Sequence, residues 1–275
     1  MTETPEPVRS AQAQGETVAQ SRPFEWFARF GLAARGFIYG IIGVLALKLA
    51  IGDGGSTTSQ QGALKEIAQQ PFGEALLIAT AVGLAGYALW RLVRAAIGHG
   101  PEAEDSAVER IGGLVSGVAY ALLCVAAVDI LIGSSSSSGG AAQTTGGVLG
   151  WTGGVWIVGI VGAAVIGEGL HQGYKGIAEK FLEKSKTEQM SPRVKGAFTK
   201  VGIFGHLARM VVFVLIGYFL LKAAIDYNPD AAITLDGALA KLAHASYGPV
   251  LLGVVAAGLI SFGLYSLADA RYRKV

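Results

Sequence analysis

Apolar residues gather in six long runs, near residues 29–51, 75–97, 110–132, 154–176, 203–225 and 248–268. About 20 apolar residues carry a helix across a bilayer, and each run is of that length. Hydrophobicity does not alternate over stretches of about ten residues, as a membrane barrel strand requires. The runs predict six transmembrane helices, and they repeat. Gly31-Leu-Ala-Ala-Arg35 and its continuation to Lys48 return as Gly205 to Lys222, shifted by 174 positions, and a weaker copy spans Gly112 to Asp129. Each copy is followed by a second run. The fold class predicted is all-α: a polytopic integral membrane protein with six transmembrane helices in three pseudo-symmetric parallel hairpin repeats. A closed ring of three hairpins about an axis normal to the membrane is the natural expectation.

The segments between the runs refine this. Gly62 to Gly73 aligns with Gly237 to Gly248, and each is a short amphipathic pattern just outside a span, with Asp236 as an N-cap for the second. Short surface helices are therefore expected in repeats one and three. In repeat two the glycine-rich stretch Gly146 to Gly154 replaces the element with a turn. Residues 1–23 are polar and read as a disordered tail, without the basic start and apolar core of a signal peptide. Ser134 to Gly140 is a flexible Ser/Gly loop. Residues 178–197 alternate in charge and read as a solvated linker or a short surface helix ending before Pro192. The division is tail 1–23, repeat one 24–99, repeat two 107–177, linker 178–197 and repeat three 198–275. Small-xxx-small pairs (Gly36 and Gly40, Gly113 and Gly117, Gly169 and Gly173, Gly253 and Ala257) predict close helix packing.

Composition agrees with a membrane location. Charged residues make up 15% and apolar residues 52%, the mean hydropathy is +0.48, and soluble domains carry about 25% charged residues. The basic residues divide sharply: 16 flank one side of the spans and only Lys65 and Lys241 the other. The positive-inside rule then places both termini and the 177–200 loop in the cytoplasm. Trp26 and Trp90 fall at the inner interface, and Trp151, Trp156 and Tyr247 at the outer one. The single cysteine, Cys124, excludes an internal disulfide and any multi-cysteine metal site.

Three tandem two-helix repeats opening on Arg29-Phe-Gly-Leu-Ala-Ala-Arg-Gly-Phe-Ile-Tyr39, the Gly146 to Gly154 turn and the closing Gly263 to Arg273 segment resemble the bacterial membrane family called domain of unknown function 1206. The resemblance runs over about residues 24–273. It implies six helices in a bacterial cytoplasmic membrane and no assigned activity. Repeat two departs from the motif, with Ser116 where the other copies carry Arg35 and Arg209.

Ionisable residues within spans are functional-site hypotheses, since each costs about 2.5–3.5 kcal/mol at mid-helix. Lys48, Asp129 and Lys222 are repeat equivalents near the outer ends. They read as snorkelling anchors or as a candidate outer charge ring in which Asp129 pairs with a neighbouring lysine. Arg35 and Arg209 are equivalents nearer the cytoplasm, contacting lipid phosphate or facing inward as a cationic pair. Glu168 lies about 12 Å from the inner end of its helix, at a rise of about 1.5 Å per residue. Its equivalents are Tyr87 and Phe262, so it breaks the symmetry. It must be protonated, paired or hydrated, and Arg35 and Arg209 are the expected partners. His171 and His206 can join this inner polar cluster. Glu168 and His171 have the Glu-x-x-His spacing of di-iron bundles, but no second pair accompanies them, and no metal site is expected.

No nucleotide loop, hydrolase elbow, haem motif or zincin helix is present. The chain is read as no enzyme, with no cofactor. Its partners are the lipid bilayer and another membrane protein complex, not nucleic acid. The main expectation is a structural or accessory component of the bacterial cytoplasmic membrane. The alternative is a small-solute or proton-coupled transporter built on the Glu168, Arg35 and Arg209 cluster.

Overall fold

A computed structural model describes residues 22–97, 107–133 and 141–274. The tail to residue 21, residues 98–106 with His99, and the Ser134–Gly140 loop lie outside the described residues. The described elements are α1 Arg22–Ala50, α2 Gln60–Gln69, α3 Gly73–Ile97, α4 Ala107–Leu131, α5 Ala141–Leu149, α6 Gly154–Ile177, α7 Pro192–Ile225, α8 Leu235–Ala243 and α9 Gly248–Tyr272. Six of them, α1, α3, α4, α6, α7 and α9, are long and apolar enough to cross a membrane.

Two boundaries move for local reasons. α1 begins at Arg22, inside the stretch expected as tail. α7 begins 11 residues before the expected span, at Pro192. Proline suits the first helical position because its missing N–H would have no partner there. The Ser191 hydroxyl accepts the Val194 N–H at 3.4 Å. Arg193, Lys195 and Lys200 kept this turn-rich start out of any apolar window, yet it is the same helix.

Each repeat re-enters the membrane through the same device. A short helix ends, one residue takes a left-handed backbone, and a glycine opens the next span. The left-handed residues are Phe72, Gly153 and Tyr247. A Cβ on the following Gly73, Gly154 or Gly248 would strike a carbonyl oxygen of the preceding short helix, that of Ala68, Val148 or Ala243. Only glycine lets the chain fold back so tightly. Repeat two therefore has its own short helix, α5, and the expectation of a bare turn there is corrected. The glycines of Gly146 to Gly154 hid a helix because glycine costs about 1 kcal/mol in a helix interior.

The repeats pack chiefly through neighbours. α1 packs on α9, α3 on α4 and α6 on α7, and within repeats α1 meets α3 and α7 meets α9. The small-residue pairs sit at the between-repeat contacts. Gly36 lies against the Gly263 backbone, Gly117 against Leu92, and Gly173 against Met210. The order in space is α4, α3, α1, α9, α7, α6. Among the described residues α4 and α6 share no helix–helix interface, so the expected ring is an arc, open within repeat two. Its centre is solid: Ile38, Ile42, Leu252, Leu259 and Phe262 are almost wholly buried.

The linker is not solvated throughout. Phe181, Ser185 and Met190 are buried. Ser185 and Arg273 form an antiparallel bridge, with Lys186 N–H donating to Tyr272 O at 2.6 Å and Lys274 N–H to Lys184 O at 3.0 Å. Only its outer edge is solvated, where Glu183 accepts from Lys180 at 2.8 Å and that hydrogen bond raises the ammonium above its ordinary pKa. Trp90 is likewise buried, under the Arg273 guanidinium at 5.6 Å, and is no interface anchor. Trp26, Trp151, Trp156 and Tyr247 are exposed.

Candidate functional site

The buried charged groups gather at the end of the central helices that carries the linker and the C-terminus, where Arg35 and Asp269 are buried. Arg35, on α1, points into the bundle towards α9 and α3. Its Nε donates to Ser266 Oγ at 3.2 Å and its Nη1 to Tyr87 Oη at 2.8 Å. The guanidinium lies over the Tyr87 and Phe262 rings, 5.2 and 5.1 Å from their centroids. Its carboxylate partner is Asp269, at 3.9 Å. Asp269 has no exposed surface. It also accepts from Arg273 at 3.2 Å, and the Ser185 hydroxyl lies 3.3 Å from its other oxygen. A buried carboxylate held by one hydrogen-bonded and one more distant guanidinium is thus paired, as burial of a charge requires.

Arg209, the repeat equivalent on α7, is placed differently. Its guanidinium is sandwiched among Phe262, Phe213 and Tyr39, at 4.5, 4.9 and 5.5 Å. Its Nε is buried without a hydrogen-bond partner, and among the described residues no carboxylate lies within ion-pair distance. Aromatic faces attract a cation by about 0.5–2 kcal/mol each, which offsets only part of the desolvation of a charge.

Glu168 does not pair with either arginine, contrary to the sequence expectation. It is half-buried and accepts from Gln172 Nε2 at 2.5 Å. Gln172 Oε1 in turn lies 2.7 Å from His206 Nδ1. His206 is buried and stacks on Phe181 at 5.3 Å, while its Nε2 has no hydrogen-bond partner. Glu168 thus joins the cluster only through Gln172. His171 is half-buried and stacks on Tyr174 at 6.4 Å. Lys222 pairs with Asp226 at 2.8 Å on its own helix, Lys48 is exposed, and Asp129 is half-buried.

Sequence reading missed Asp269, Tyr87, Ser266 and Arg273. The apolar window of the last span closes at residue 268, so Asp269 counted as outside the membrane. The i, i+4 spacing of Asp269 and Arg273 was the available signal.

Residues 30–98, 111–179 and 204–273 each match the family described as Domain of Unknown Function (DUF1206). The chain belongs to this family. It is also 33% identical over 252 residues to the uncharacterized protein YxxB of Bacillus subtilis (strain 168), covering 90% of each chain. No solved structure matches it. The three matched stretches coincide with three hairpins, so this DUF1206 chain is a bacterial-type multi-pass membrane protein of three tandem units.

Proposed function

We propose that this DUF1206 protein is a structural or accessory component of the bacterial cytoplasmic membrane, with both termini in the cytoplasm and no catalytic activity or cofactor of its own. Its partners are the bilayer and another membrane protein complex, not nucleic acid. The observation that carries this reading is the solid centre of the arc. A transport route would run where Ile42, Leu259 and Phe262 interlock and where Gly36 and Gly263 bring backbones into contact. The open edge adds support. α4 is the least covered of the six spanning helices, and its repeat partner α6 lies at the far end of the arc. A helix from another chain can complete the bundle there.

The test is purification of the tagged full chain from native membranes in mild detergent, paired with solute-flux measurements in proteoliposomes. A stoichiometric membrane partner that cross-links to α4 or α6, with no flux, is the expected result. Solute flux lost on Glu168→Gln in a folded protein would replace this reading with the transporter. Reporter fusions at the two termini test the topology, and an external report from either overturns it.

A further inference from the structure

We infer that the chain forms a two-fold dimer in which α4 of each copy packs against α6 of the other. The proposal rests on the open edge from which the accessory reading is drawn, and it names the chain that closes that edge. The inference begins with the joints of the arc. All three joints between repeats are made, α3 with α4, α6 with α7 and α9 with α1, and so are the joints within repeats one and three. Among the described residues, the joint within repeat two is the one missing from this cycle.

The two joints within repeats are built alike. Gly31 of α1 lies against Tyr87 of α3, and Gly205 of α7 against Phe262 of α9. One turn further on, Ala34 meets Gly83 and Ala208 meets Gly258. All eight residues are buried. A shift of 81 positions carries the repeat-one set to Gly112 and Val115 on α4 and to Glu168 and Ala164 on α6. These residues form the two halves of the same joint, and the halves are apart. Val115 is 63% exposed, Ala164 is exposed, and a Cβ on Gly112 would meet nothing within 4 Å.

A polar pair belongs to each joint. In repeat one Arg35 donates to the Tyr87 hydroxyl, and in repeat three the Arg209 guanidinium lies over the Phe262 ring. The repeat-two residues at these positions are Ser116 and Glu168, a hydroxyl donor and a carboxyl acceptor. The acid that breaks the repeat symmetry thus has its counterpart on α4. Association within a bilayer is driven by close packing and by hydrogen bonds between helices, and this joint offers both.

Each half of the joint is the complement of the other, so a chain that carries both answers both open edges at once. Rotation by half a turn about the membrane normal places α4 of one copy opposite α6 of the other, twice. It keeps the two copies in one orientation in the bilayer and keeps the facing helices antiparallel, as in repeats one and three. The assembly closes with two subunits, the commonest symmetry of soluble oligomers.

The test uses the full chain in native membranes, in a Cys124→Ala background, as two differently tagged copies. One carries Val115→Cys and the other Ala164→Cys. Their repeat-one counterparts, Ala34 and Gly83, are in contact, which suits the Cβ separation of about 3.5–4.5 Å in a disulfide. Mild oxidation is expected to give a disulfide dimer bearing both tags, and little dimer when either variant is expressed alone. In mild detergent the parent is expected to have the mass of two chains. Ala164→Trp should weaken dimerisation about tenfold or more by overfilling the joint. Leu170→Trp should leave it unchanged, since Leu170 and its equivalents Leu89 and Leu264 are all exposed. Absence of the mixed product, dimers of the single variants alone, or equal masses for the parent and Ala164→Trp overturns the proposal. So does an intrachain disulfide when one chain carries both cysteines, which would show that repeat two closes on itself. A disulfide from Val115→Cys to a different protein overturns the dimer and leaves the accessory reading standing. The mixed dimer together with solute flux upholds the dimer and overturns the accessory reading.

Discussion

Asp269 is wholly buried and holds two guanidiniums, so its removal strands both. Asp269→Ala is expected to lower unfolding free energy by about 3–5 kcal/mol, as for other broken buried pairs, measured by denaturant titration in micelles. Arg35→Met should also destabilise, since it leaves the Tyr87 hydroxyl and Ser266 without their charged partner. Glu168→Gln is expected to stay within about 0.5 kcal/mol of the parent, because the one hydrogen bond described for it is an i, i+4 contact to Gln172. A loss above about 2 kcal/mol would show that Glu168 neutralises a cation after all. Charge within an apolar run was enough to single out Arg35, Arg209 and Glu168 from the sequence. Which acid meets which base was not legible. That depends on the depth of Asp269, which a hydropathy window ends one residue too early to see, and on the neighbour order of helices distant in sequence.

At the scale of elements, the spans were legible because a bilayer demands an uninterrupted apolar helix of fixed length. α6 begins at Gly154 and α9 at Gly248, where the sequence expectation put them. The short helix α5 was not legible, since its cue is a spatial one shared with α2 and α8, the left-handed residue and glycine at the fold-back. Gly248→Ala and Gly73→Ala are expected to cost about 1–3 kcal/mol, the range for inserting a methyl group into a filled space. Gly40 provides the contrast within one protein. A Cβ there meets no atom within 4 Å, so Gly40→Ala should be neutral or stabilising, because alanine favours helix. A larger loss at Gly40 than at Gly248, in the same unfolding assay, would remove the fold-back glycine from the account of the repeat.

The whole molecule is held by a closure between the linker and the C-terminus. Residues 184–186 come from the joint between repeats two and three, and they pair with Tyr272 and Lys274 at the end of repeat three. Asp269 and Ser185 sit beneath this bridge, and Phe181 anchors the linker among Phe198, His206 and Tyr265. The strap therefore ties α6, which carries one edge of the arc, to α9 at its centre. A sequence reading that treated 178–197 as a solvated charge run had no means to find it, because the buried Phe181, Ser185 and Met190 are isolated among lysines and glutamates. Trypsin gives a direct measure, since Lys184 and Lys186 are its sites and cleavage of a locally opened segment follows the free energy of opening. Truncation after Tyr272 removes Arg273 and the Lys274 donor. It is expected to speed cleavage at Lys184 and Lys186 at least tenfold, equivalent to about 1.4 kcal/mol of opening. Cleavage at Lys195 and Lys200, within α7, should change much less. Equal rates at Lys184 and Lys186 in the parent and truncated chains would mean that the bridge contributes nothing and that Phe181 alone holds the linker down.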